Sequence, residues 1–98
     1  MIAPLPDSEI QAFLGSLPDW RYSGEAFSAS YRFADFKRAF AAISQIAIEC
    51  ELQGHHPQID WTYNRVSFSL TTHDAGNRVT ERDLKLARAI DRICGAEG

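Results

Sequence analysis

Positive charge, cysteine and long apolar runs are all scarce in this chain, and each shortage closes off a class of function. Ten Lys and Arg stand against thirteen Asp and Glu, a formal charge of −3. That is the wrong sign for a sequence-independent nucleic-acid binder, which needs a basic face to neutralise phosphates. Cys50 and Cys94 are the two cysteines. Each sits in an apolar helical pattern without CxxC or metal-ligand spacing, so a disulfide scaffold is excluded and buried free thiols in a reducing compartment are expected. No stretch of about 18 consecutive apolar residues occurs, so no membrane span is expected. The opening Met1-Ile2-Ala3-Pro4-Leu5-Pro6 has neither a basic start nor a long apolar run. No secretory leader is therefore expected, and the default location is cytoplasmic. Repeats, low-complexity tracts and linkers are missing too, so residues 1–98, at 45% hydrophobic, read as one globular domain.

Periodicity supplies the elements. A first helix is expected from Asp7 or Ser8, capped by an oxygen side chain, with Ile10, Phe13, Leu14 and Leu17 as its stripe and Pro18-Asp19 at its end. Trp20 to Tyr22 and Ala26 to Phe33 read as strands around Ser23-Gly24-Glu25. In the second of them Phe27, Ala29, Tyr31 and Phe33 alternate with Ser28, Ser30 and Arg32, as in a sheet covered on one side. Asp35 is a credible cap for a long helix over Phe36 to Gln53. Its expected buried stripe is Phe36, Ala39, Phe40, Ile43, Ile46, Ala47 and Cys50, with Gly54 as a left-handed stop. Ile59 to Tyr63 and Val66 to Thr71 form a second hairpin across Asn64-Arg65, and strand parity puts His73 with Ser67, Ser69 and Thr71. Thr80-Glu81-Arg82-Asp83 resembles a capping box opening a third helix, with Leu84, Ala87, Ile90, Ile93 and Cys94 inward and Gly95 as its stop. The order α-β-β-α-β-β-α predicts an α+β domain, a four-stranded antiparallel sheet with three helices on one face. The uncovered sheet face and edges predict a homo-oligomer, dimer or tetramer.

Proton-moving groups concentrate in one place. His55 and His56 follow the predicted helix stop, held by Pro57, and His73 follows the last strand; these are the three histidines of the chain. Glu51, His55-His56-Pro57, Tyr63, His73 and Asp83, in that spacing, resemble the signature of the pterin-4a-carbinolamine dehydratases. Tyr31-Arg32-Phe33-Ala34-Asp35-Phe36, Asn64-Arg65-Val66, Thr72-His73-Asp74 and Thr80-Glu81-Arg82-Asp83 are similar to that family as well. The resemblance spans nearly the whole chain. It implies a lyase that removes water from 4a-hydroxytetrahydropterin (4a-hydroxytetrahydrobiopterin), giving the quinonoid dihydropterin and supporting cofactor recycling for an aromatic amino acid hydroxylase. It implies further that His55, His56 and His73 act on the substrate and that Gly54 to Pro57 and Thr71 to Asp74 line its site. Pterin would be the substrate, with no separate cofactor. The same resemblance allows a non-catalytic reading, since some relatives serve as dimerisation cofactors for a homeodomain transcription factor.

Histidine suits this dehydration, because an unperturbed pKa of about 6.5 leaves both protonation states available near neutral pH. His55 and His73 are expected as proton donor and acceptor and His56 as the group that orients the substrate. Ser69 and Thr71, with backbone near Thr72, are expected to offer hydrogen bonds. Glu51 is either the carboxylate that sets an imidazole tautomer or a solvated helix residue. Asp83 reads first as the capping partner of Thr80, and Tyr63 and Trp61 read as sheet packing. His55 and His56 taken singly would more simply satisfy helix-end carbonyls. A zinc site is disfavoured, since adjacent extended residues face opposite ways and no His-x-His pair exists.

Overall fold

The computed structural model describes residues 3–97. Its elements are α1 (Asp7–Leu14), β1 (Arg21–Tyr22), β2 (Phe27–Arg32), α2 (Phe36–Gln53), β3 (Gln58–Thr62), β4 (Arg65–Leu70), a 3-10 turn (His73–Ala75) and α3 (Glu81–Glu97). The strands make one antiparallel sheet in the order β1-β2-β4-β3, the expected α+β arrangement.

Period-two alternation decides which sheet face is covered. Phe27 pairs with Leu70, Ala29 with Phe68 and Tyr31 with Val66 across the β2–β4 ladder. These side chains join Ala39, Ala42, Ile46 and Cys50 of α2 and Leu86, Ala87, Ile90, Ile93 and Cys94 of α3 in one core. Phe27 and Ile46 are fully buried, and such side chains contribute roughly 1.5–3 kcal/mol each. Trp20 stacks on Phe27 at 5.1 Å. Its Nε1–H donates to Tyr31 Oη (2.8 Å), and Tyr31 donates to Asp91 Oδ1 (2.7 Å), tying α3 to the sheet. Burial, with the Asp91 carboxylate second, pushes the Tyr31 phenol well above its usual range. Burial also raises the Cys50 thiol and carries Cys94 up to about 12. Both cysteines are free and buried, as expected.

Several expectations fail for identifiable reasons. The α1 N-cap is Pro6, with no side-chain cap, because Asp7 is already helical and accepts a hydrogen bond from Tyr22 Oη instead (3.0 Å). Phe36 and Phe40 lie outside the core, 49% and 55% exposed, and Ala47 is exposed as well. The small Ala39 and Ala42 fill α2's inner face, while the two rings stack on Trp61 at 4.7 and 6.1 Å. The second hairpin turns at Tyr63-Asn64, one residue early, since Thr62 pairs with Arg65. Asn64 holds that turn by donating its side-chain amide to the Phe33 carbonyl (2.9 Å) and accepting the Phe33 amide (2.8 Å). Leu84 is only partly buried and Leu86 takes the inner position. α3 also runs through Gly95, whose φ is not positive, so that glycine ends nothing.

The other sheet face presents Ser28, Ser30, Ser67 and Ser69, with Ser30 and Ser67 hydroxyls 2.7 Å apart. Large exposed apolar side chains lie on α2 (Phe36, Phe40, Ile48 and Leu52), on β3 (Ile59) and at the hairpin turn (Tyr63). Among the described residues no helix is long and apolar enough to cross a membrane.

Candidate functional site

Gly54 ends α2 in the left-handed conformation (φ 65°), and the amides of Gly54 and His55 close back onto the last helical carbonyls. This glycine cap swings the next two residues to opposite sides. The His55 ring goes inward, 10% exposed, and the His56 ring outward, 63% exposed.

Each ring meets a carboxylate. His55 Nε2 lies 2.6 Å from Asp83 Oδ1, and Asp83 is completely buried at the first turn of α3. The second oxygen, Asp83 Oδ2, accepts from the Thr80 amide and from the Thr72 hydroxyl, both at 2.8 Å. Thr72 has a single hydroxyl proton, so in its 2.7 Å contact with Thr80 the Thr80 hydroxyl is the donor. Thr80 Oγ1 in turn accepts from the Arg82 amide (3.3 Å). Among the described residues no buried side-chain nitrogen or oxygen lacks a partner. An ionised carboxylate only accepts, which makes His55 Nε2 the donor and leaves Nδ1 as the uncommitted nitrogen. His56 Nε2 lies 2.6 Å from Glu51 Oε2 in the open, so Glu51 holds an imidazole, that of His56.

His73 sits in the 3-10 turn after β4, where the strand parity expected of it no longer applies. It is exposed, and its Nδ1 lies 2.7 Å from Asn77 Oδ1.

A cleft of about 220 Å³ is lined by Gly54, His55, His56, Thr71, Thr72, His73, Asp74 and Arg82. The expected lining is thus brought together except for Pro57, which stays outside. Glu51 and Asp83 stand behind the rings they hold. Arg82 is the lining residue that sequence reasoning missed; its Nη1 lies 3.9 Å from Asp74 Oδ2. Its one signal was its place beside Asp83 in α3's first turn. Ser69 belongs elsewhere. It lines a hollow of about 600 Å³ on the open sheet face with Arg21, Ser28, Ser30, Asp60 and Ser67, and no histidine reaches that hollow. Trp61 packs on the α2 aromatics and Tyr63 is exposed at the hairpin turn (φ 51°), so neither lines the cleft. Among the described residues no three His, Cys, Asp or Glu side chains converge as a ligand set.

Chemically the cleft offers three imidazoles, each with one nitrogen already bonded to a protein oxygen, beside a solvent-exposed guanidinium–carboxylate pair. Such groups can move protons at a bound small molecule.

Comparison with known proteins identifies the relatives of the chain. The family model described as "Pterin 4 alpha carbinolamine dehydratase" matches residues 3–93. A relative from Chloroflexus aurantiacus, named "Putative pterin-4-alpha-carbinolamine dehydratase", is 45% identical over 91 residues, covering 93% of this chain and 97% of that one. One of the same name from Synechococcus sp. is 39% identical, covering 96% of this chain and all of that one. A crystal structure titled transcriptional coactivator/pterin dehydratase from Brucella melitensis superposes with a TM-score of 0.89 at 39% identity, covering 94% of this chain and 99% of that one. A pterin dehydratase-like RuBisCO assembly factor of the alpha-carboxysome shares the fold, with a TM-score of 0.64 at 21% identity over 78% of this chain and 87% of that one.

Proposed function

The chain belongs to the pterin 4 alpha carbinolamine dehydratase family, and on that premise we propose that it removes water from 4a-hydroxytetrahydropterin to give the quinonoid dihydropterin. The C4a–O bond breaks, the departing hydroxyl takes a proton and leaves as water, and N5 gives up a proton. His55 serves as the acceptor from N5, since the buried Asp83 carboxylate stabilises the imidazolium that forms. His73, as the imidazolium, delivers the Nε2 proton to the hydroxyl, and His56, steadied by Glu51, orients the ring system. Arg82 and Asp74 face the heterocycle's carbonyl and amino edge. What supports this reading is a single cleft whose lining includes all three imidazoles. At about 220 Å³ it is smaller than the ~300–1,000 Å³ of drug-sized sites, which suits a small heterocycle with its side chain left outside. The reaction oxidises nothing and uses no metal, so chelation is expected to leave the rate unchanged. The setting we propose is cytoplasmic, in recycling the pterin of an aromatic amino acid hydroxylase.

Stopped-flow dehydration of 4a-hydroxytetrahydropterin tests the mechanism. His55→Ala and His73→Ala should each slow turnover by about 10²- to 10⁴-fold, the usual worth of a positioned acid or base. Near-wild-type rates in both variants and in the double variant would refute it.

A second reading, a dimerisation module, draws on α2's outer surface. Phe36, Phe40, Ile48 and Leu52 recur at multiples of four residues and are 49%, 55%, 62% and 75% exposed. Such a ridge packs into the matching groove of an identical helix, so a second copy, in a homodimer or homotetramer, is its occupant.

A further inference from the structure

We infer that Asn77 is a positioning residue that fixes the tautomer of His73, an assignment that rests on the dehydratase reading of the cleft. The loop after the 3-10 turn carries two successive left-handed residues, Gly76 (φ 73°) and Asn77 (φ 60°). Asn tolerates this conformation better than other residues with a Cβ. The loop is pinned on both sides of its base. The Asn77 amide donates to the Thr72 carbonyl (3.2 Å), and the Thr72 amide donates to the Arg78 carbonyl (3.0 Å) in an isolated antiparallel bridge.

This backbone carries the Asn77 amide oxygen to 2.7 Å from His73 Nδ1. A carbonyl oxygen has no proton to give, so Nδ1 must carry the hydrogen and donate it. Neutral His73 then has its lone pair on Nε2, so that nitrogen is the one that takes up a proton and, from the imidazolium, delivers it to a molecule in the cleft. Thr72, whose backbone anchors Asn77, also binds Asp83 through its hydroxyl. The mountings of His55 and His73 therefore meet at one residue. Asn77 touches no substrate in this scheme; it acts through the ring it holds.

Asn77→Gly removes the oxygen and keeps a residue at ease with positive φ, and Asn77→Asp keeps an acceptor at the same place. Steady-state dehydration kinetics on the full chain should show a roughly fivefold fall in kcat for Asn77→Gly, the fold-change of one hydrogen bond worth about 1 kcal/mol. KM should stay within about twofold, and Asn77→Asp should recover kcat. Long-range ¹⁵N–¹H NMR of the histidine rings should find neutral His73 protonated on Nδ1 in the wild type and on Nε2 in Asn77→Gly. Wild-type kcat in Asn77→Gly, or one tautomer shared by both proteins, would overturn the inference. Should the wild type turn over no pterin, the dehydratase reading falls, and the NMR comparison alone decides whether Asn77 sets the ring.

Discussion

His55 Nε2 stands 2.6 Å from Asp83 Oδ1, with the carboxylate wholly buried and its other oxygen also closing the first turn of α3. Removing it orphans a ring nitrogen, a hydroxyl and a helix amide together. A lost cap costs about 0.5–2 kcal/mol and an unsatisfied buried polar group about 1–3 kcal/mol. Asp83→Ala should therefore lower stability by about 2–4 kcal/mol, read from the urea midpoint. Asp83→Asn, which retains the shape, should lower kcat by about 10- to 100-fold, as loss of a ring-orienting partner commonly does.

The His56–Glu51 pair has the same 2.6 Å separation but lies in solvent, with side chains 63% and 77% exposed. Exposed ion pairs contribute about 0–1 kcal/mol. Glu51→Gln should leave the thermal midpoint nearly unchanged and show its effect as a higher KM for the pterin, if His56 orients the ring. Equal destabilisation by Glu51→Gln and Asp83→Asn would contradict this contrast.

Stability should decline in alkali, beginning where the buried thiols titrate in the unfolded chain. Burial raises Cys94 from 9.0 to about 12. The folded state thus holds its proton more tightly than the unfolded state, and the associated stability is complete below pH 9 and is lost as pH climbs toward 12. One such group gives a slope of about 1.4 kcal/mol per pH unit. Tyr31 adds to the decline above its ordinary value of 10.0. Urea midpoints measured at intervals from pH 8 upward should trace the fall, and Cys94→Ala should make it shallower. An unchanged curve in that variant would show that other groups carry it.

On α2, Phe40→Glu puts a charge in the middle of the exposed ridge beside Trp61. Sedimentation equilibrium should show an assembly for the wild type and a shift toward monomer for the variant. With Phe40 already 55% exposed, circular dichroism should show little change in fold.

Much of this was legible because short-range chemistry decided it. The Phe27-Ser28-Ala29-Ser30 alternation became β2, and Asp35, whose side chain accepts the Arg38 amide at 2.8 Å, and Gly54, left-handed, bracket α2 where expected. Asp83 does cap α3 through the Thr80 amide. The rest depended on contacts across the chain. Nothing local distinguishes Asp83 from Glu51 as the partner of His55, since the choice follows from α3 packing against α2's end. Phe36 and Phe40 fit a buried stripe by period alone, and their stacking on Trp61 needs the neighbouring hairpin. Gly95 resembles a stop yet remains helical. Asn77 reaches His73 only because two left-handed residues turn the loop back.

Because a single carboxylate both starts α3 and grips a ring 28 residues earlier in the chain, the proposed mechanism makes fraying at that helix start and loss of turnover one event. Mild heat or denaturant that loosens the amides of residues 80–84 should abolish turnover while the sheet is still intact. Inactivation would then run ahead of global melting, and hydrogen exchange at those few amides would forecast it.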